Sequence, residues 1–99
     1  MSVIGRRLRQ ARERLGLSQE KVGQEAELDP GSARVRVNRY ENGNRTPNPE
    51  LVEAFAKVLK VPATYFYAKD DNEAELLLAF HRLSKPKKTK VIEFASSLG

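Results

Sequence analysis

The sequence predicts an all-α protein. Apolar side chains recur at helical spacing along most of the chain, and no run of β-branched residues alternates over the length of a strand. Ser, Asn or Asp precedes most of the apolar stretches, and Gly or Pro interrupts the pattern between them, as helix starts and stops require. The first stripe is Ile4, Leu8, Ala11 and Leu15, which predicts an amphipathic helix over residues 3–15, capped by Ser2 and stopped by Gly16. Ser18 caps a second helix, with Glu20 near the positive end of its dipole and Val22 and Ala26 on its buried face. Pro30 and Gly31 break the pattern within Leu28–Ser32, because proline lacks a donor and glycine accepts unusual dihedrals.

A third helix places Ala33, Val37 and Tyr40 on one face and ends at Gly43, ahead of a loop from Asn44 to Pro47. Asn48-Pro49-Glu50 opens the fourth with a cap, a proline where the missing N–H costs nothing, and an acid. Its buried stripe is Leu51, Phe55, Val58 and Leu59; Pro62 closes it, and Ala63–Tyr67 makes one short helical turn. Asp70 or Asp71 caps a helix over residues 72–83, and Ser84-Lys85-Pro86 separates it from a last helix ending near Leu98. Leu76, Leu77, Leu78 and Phe80 are broader than one helical stripe, so that helix needs two packing partners. The last helix offers Val91, Phe94, Ala95 and Leu98 on one face. The expected organisation is a body over residues 1–69 and a helical hairpin over residues 70–99.

Composition excludes several classes of function. The chain has 99 residues and no cysteine, which removes disulfides, thiol nucleophiles and thiolate metal sites. No stretch is apolar enough to span a membrane or to serve as a secretory signal, so the expected setting is the cytoplasm. His81 is the single histidine, Asp70–Glu75 lacks the spacing of a calcium loop, and no nucleophile–base pair or phosphate-cradling glycine loop is readable. Neither an enzyme nor a cofactor or metal is expected. The net charge of +5 is unevenly placed: residues 1–45 and 85–99 are basic, and the middle is acidic. An anionic partner met mainly by the first half is the natural reading.

The linked set Leu17-Ser18-Gln19, Tyr40-Glu41-Asn42-Gly43 and Arg45-Thr46-Pro47, continued by Val61-Pro62 and Tyr65-Phe66, resembles the Cro-type helix-turn-helix family of phage repressors, often called XRE. The resemblance covers roughly residues 4–67. It implies a lambda-repressor-like five-helix DNA-binding domain, here with a C-terminal two-helix extension. With Val37 inward, the helical angle turns Ser32, Val35, Arg39 and Asn42 outward, flanked by Arg36 and Asn38. Arginine pairs bidentately with guanine, asparagine with adenine, and valine packs on a thymine methyl, so Val35, Arg36, Asn38 and Arg39 are the expected base readers. Arg34 joins them from an angle nearer the core.

The resemblance further implies phosphate contacts from Gln19, Asn42, Asn44 and Arg45, and a structural ion pair between Arg12 and Glu41. Arg9 is a further candidate for phosphate, while Arg6, Arg7 and Arg14 read as a solvated coat on the first helix. The chain departs from the family between Leu28 and Val37, where it is longer by about one helical turn. Either residues 29–32 bulge or the third helix starts a turn early. Glu27 also stands where a glycine is common.

The function expected is a sequence-specific transcriptional repressor that binds a palindromic operator in double-stranded DNA. It would act as a cytoplasmic, nucleoid-associated homodimer joined through Leu76, Leu77, Leu78, Phe80, Val91, Phe94 and Leu98. The alternative is an antitoxin-like or regulatory module that docks a protein partner on the same C-terminal helices.

Overall fold

The computed structural model describes residues 2–99 and, among them, contains helices and turns but no strand. The elements are α1 (Val3–Arg14), α2 (Gln19–Glu25), α3 (Ala33–Glu41), α4 (Pro49–Leu59), a 3-10 turn (Ala63–Tyr67), α5 (Asp71–His81) and α6 (Lys85–Leu98). The all-α reading holds, with the short turn after Pro62 taking 3-10 geometry.

Local sequence explains most starts. Ser2, Ser18, Asn48 and Asp70 each accept a hydrogen bond from the backbone N–H three residues on, satisfying donors that a helix start leaves free. The stops share one geometry. After α1, α2, α3 and α4 a residue with positive φ turns the chain: Gly16, Glu27, Gly43 and Lys60. The N–H of the next residue then reaches back to the carbonyl five positions earlier, as in Leu28 to Gly23 and Asn44 to Arg39. Glu27 therefore holds a left-handed conformation that favours glycine. The additional residues before Val37 resolve into an exposed turn, closed by the Ser32 N–H donating to the Asp29 carbonyl at 3.0 Å. Helix α3 starts immediately after it, at Ala33.

The core forms where α1, α2, α3 and α4 converge on the 3-10 turn. Leu8, Ala11, Val22, Ala33, Val37 and Leu59 are fully buried, with Phe55 and Phe66 nearly so. Tyr40 stands edge-on to Phe55, ring centroids 6.0 Å apart. Two glycines permit the close crossings. A Cβ on Gly5 would lie 2.5 Å from the carbonyl oxygens of Tyr40 and Glu41, and one on Gly23 would lie 2.7 Å from the Ala33 Cβ. Helix α3 is thus pressed against both α1 and α2, which fixes its azimuth and the face it turns outward.

Two expectations need correcting. Leu15, placed in the first stripe, is 39 % exposed, because α1 ends before it and it serves as the C-cap. Arg7, read as solvated, is buried at 2 % exposure. It donates from Nε to the Ala68 carbonyl and from Nη1 to Gln10 and Asp71, and it stands 5.8 Å from the Tyr65 ring centroid. A planar donor fork that meets carbonyls, a carboxylate and an aromatic face is satisfied without water. The two C-terminal helices touch where Lys88 Nζ stands 5.5 Å from the Phe80 ring centroid. Helix α5 lies on the body through Ala74, Leu77 and Leu78, whereas α6 buries no residue and extends the molecule to 50 Å in its long dimension.

Candidate nucleic-acid interface

Helix α3 is short and strongly sided. Ala33, Val37, Tyr40 and Glu41 are buried, while Arg34, Val35, Asn38, Arg39 and Asn42 are exposed. No acidic side chain occurs on the exposed face, since the one carboxylate of the helix, on Glu41, has no exposure. A rod carrying two guanidiniums, two amides and a valine outward meets the chemistry of a major groove.

Glu41 anchors this helix. Its Oε2 accepts from Arg12 Nε at 2.6 Å and its Oε1 from Arg12 Nη2 at 3.1 Å, a two-point ion pair. The guanidinium of Arg12 also donates to the Leu17 carbonyl, so it ties α1 to both the α1–α2 turn and α3. The Glu41 carboxylate holds the Arg12 pKa above its ordinary value, outweighing the opposing effect of burial. Arg9 Nε approaches the same Oε1 at 3.4 Å, and Gln19 Nε2 donates to it at 3.1 Å.

From Gln19 the polar contacts run outward along the surface. Asn38 Nδ2 donates to Gln19 Oε1 at 3.5 Å, and Asn42 Nδ2 donates to Asn38 Oδ1 at 3.0 Å. Gln19, Asn38 and Asn42 therefore form one row across the α2 start and the α3 face. Arg45 and Asn44 stand exposed in the loop beyond, held to the end of α3 by the Asn44 N–H bond to the Arg39 carbonyl. Arg9 keeps 41 % of its side chain exposed at the edge of the ion pair.

The geometry sorts the expected readers unequally. Arg34, Val35, Asn38 and Arg39 project from α3, with Val35 at 42 % exposure. Arg36 is half-buried and tethered, its Nη2 donating to the Tyr40 hydroxyl at 2.8 Å. That bond and the Gln19–Asn38–Asn42 row escaped the sequence reading. The first had a signal, because Arg36 and Tyr40 are four residues apart on one helix. The Asn38–Asn42 bond has the same four-residue spacing, whereas the Gln19–Asn38 bond joins different helices and had no signal.

Residues 3–64 match the family described as "Helix-turn-helix domain", well over half of the chain. The chain belongs to the helix-turn-helix family. A solved structure described as that of the transcriptional regulator BswR is similar to it at 38 % identity and a TM-score of 0.87, covering 94 % of this chain and 92 % of that one. A comparison with curated proteins gave no match. The family match ends before α5, whereas the likeness to the regulator structure includes most of the C-terminal helices. Family and likeness together support a DNA-binding regulator as the class of this helix-turn-helix protein.

Proposed function

We propose that this protein is a sequence-specific repressor of the Cro-type branch that binds a palindromic operator in double-stranded DNA as a homodimer. The observation that carries the reading is the exposed α3 face, basic and amide-rich and free of acid, on a helix fixed from behind by the Arg12–Glu41 pair. In this reading Arg34, Val35, Asn38 and Arg39 read bases. Gln19, Asn42, Asn44 and Arg45 contact phosphates, and Arg9 adds a contact at the edge. Phosphate contacts set register and affinity, and base contacts set sequence choice.

The homodimer would form through the C-terminal helices. Leu76, Ile92, Phe94 and Leu98 are each more than half exposed, and Phe80 and Val91 lie partly exposed beside them. Leu77 and Leu78 lean on the core and leave this surface. The reading places the protein in the cytoplasm, on the nucleoid.

Titration of a labelled duplex at increasing salt tests the DNA-binding half of the proposal. Affinity should fall steeply, by about a hundredfold or more between 50 mM and 200 mM salt, as counterion release from several phosphates demands. A flat response would contradict it.

The bare α6 face also favours a second reading, in which a protein partner covers it and DNA binding is secondary. A monodisperse dimer in sedimentation supports the repressor; a monomer that aggregates through its exposed face supports the missing partner.

A further inference from the structure

We infer that Arg36 is a backbone clasp: with Arg45 it forms a seat for one phosphate group beside α3, and Tyr40 is the residue that positions it. The inference rests on the reading of α3 as the DNA-facing helix and assigns Arg36 a different job from its neighbours. A cleft of about 320 Å³ opens between α3 and the following loop, lined by Ser32, Arg36, Arg39, Tyr40, Arg45 and Thr46. Three arginines and three hydroxyl-bearing residues line it, and no acidic residue does. None of the three arginines takes part in an ion pair among the described residues, in contrast to Arg6, Arg7, Arg9 and Arg12. Arginines without ion-pair partners lining a polar cleft suit an anion with several acceptor oxygens, and a phosphodiester fits.

The tether decides which anion-facing pose Arg36 adopts. Its Nη2 donates to the Tyr40 hydroxyl at 2.8 Å, and its guanidinium carbon stands 5.9 Å from the Tyr40 ring centroid. Tyr40 is 7 % exposed and packed edge-on against Phe55, so it is a fixed post. A side chain bound to a residue one turn further along its own helix is drawn over the helix surface toward the Arg45 loop. It does not project as Arg34 and Arg39 do. One of five donors is used, which leaves the rest of the fork for phosphate oxygens. A fixed donor fork loses little conformational entropy on binding, so the tether serves affinity rather than sequence choice.

The test uses the full chain, its selected operator, and the variants Arg36→Gln, Arg36→Lys and Tyr40→Phe. Arg36→Gln should weaken binding evenly across operators carrying single base changes and reduce the salt slope by about two, one for each half-site of the dimer. Arg36→Lys should restore that slope, because the charge returns. Tyr40→Phe keeps the ring against Phe55; it should weaken binding by about threefold to tenfold with the melting temperature and the salt slope unchanged. Inorganic phosphate added without DNA should shift the Arg36 and Arg45 side-chain NMR signals and be displaced by the operator.

Relaxed preference at one base position in Arg36→Gln would make Arg36 a base reader and overturn the inference. Unchanged binding in both Arg36→Gln and Tyr40→Phe would remove it from the interface. Phosphate that stays bound beside the operator would give the cleft to a free phosphate compound instead. Failure of the underlying reading looks different, since wild-type protein would then show no sequence preference on any duplex.

Discussion

Arg39 concentrates what the proposed interface needs: it is exposed on α3, lies beyond the lengthened segment, and forms no ion pair among the described residues. Arg39→Ala should cost about 1–3 kcal/mol of operator affinity and relax specificity at one position per half-site, as read by binding to operators with single base changes. An even loss across all sequences would move Arg39 to the phosphate contacts. Glu27 makes the corresponding point for stability. Its φ of 67° sits where a Cβ crowds the following carbonyl. Glu27→Gly should raise stability by about 0.5–1 kcal/mol in urea unfolding, the relief of strain exceeding the added freedom of the unfolded glycine. At this scale the sequence was informative wherever periodicity sets orientation. The outward placement of Val35 and Arg39 follows from a helical angle, and Glu27 stood out because a glycine is common there. Arg7 was illegible: its burial depends on carbonyls at Ala68 and Lys69, more than sixty residues away in sequence.

At the scale of elements, the starts were readable because their hydrogen bonds are local, whereas the position of α6 was not. An amphipathic pattern at Val91, Phe94 and Leu98 states that a face wants cover, but not what covers it. Helix α5 is the better-fixed of the two. Arg6 and Arg7 both donate to Asp71 Oδ1 at 3.0 Å, in the first turn of α5. These bonds, from Arg7 first and Arg6 second, hold the Asp71 carboxyl below its ordinary pKa. A depressed carboxylate pKa adds stability that is complete above the unfolded value, about pH 4, and is lost as the pH falls through the folded value. Asp71→Asn should therefore flatten the acid limb of the stability curve, measured by denaturant unfolding between about pH 6 and pH 2. An acid limb equal to that of the wild type would show that the carboxylate does not link α5 to α1. Under the proposed dimer the same link would bear on operator binding, because Arg6, Arg7 and the carbonyls of Ala68 and Lys69 tie the start of the C-terminal helices to the body.

For the whole molecule, the basic first half carries the candidate interface and the apolar face lies at the other end of the chain. A two-fold dimer joined through that end would present two copies of α3 to one side of a duplex. Successive major grooves on one side of DNA are about 34 Å apart, so half-site spacing becomes a property of the assembly rather than of α3. The sequence read the all-α class and the division of charge directly, since both are local or additive. It could not give the spacing, which depends on how the rigid body, α5 and α6 are joined in space. Selection from a random duplex library at about 0.15 M salt, followed by sequencing of the bound pool, probes recognition and assembly together. Enrichment of a palindrome with one fixed half-site spacing is the predicted result. A bound pool with no enriched sequence would contradict specific recognition, and enrichment of an isolated half-site would contradict the dimer.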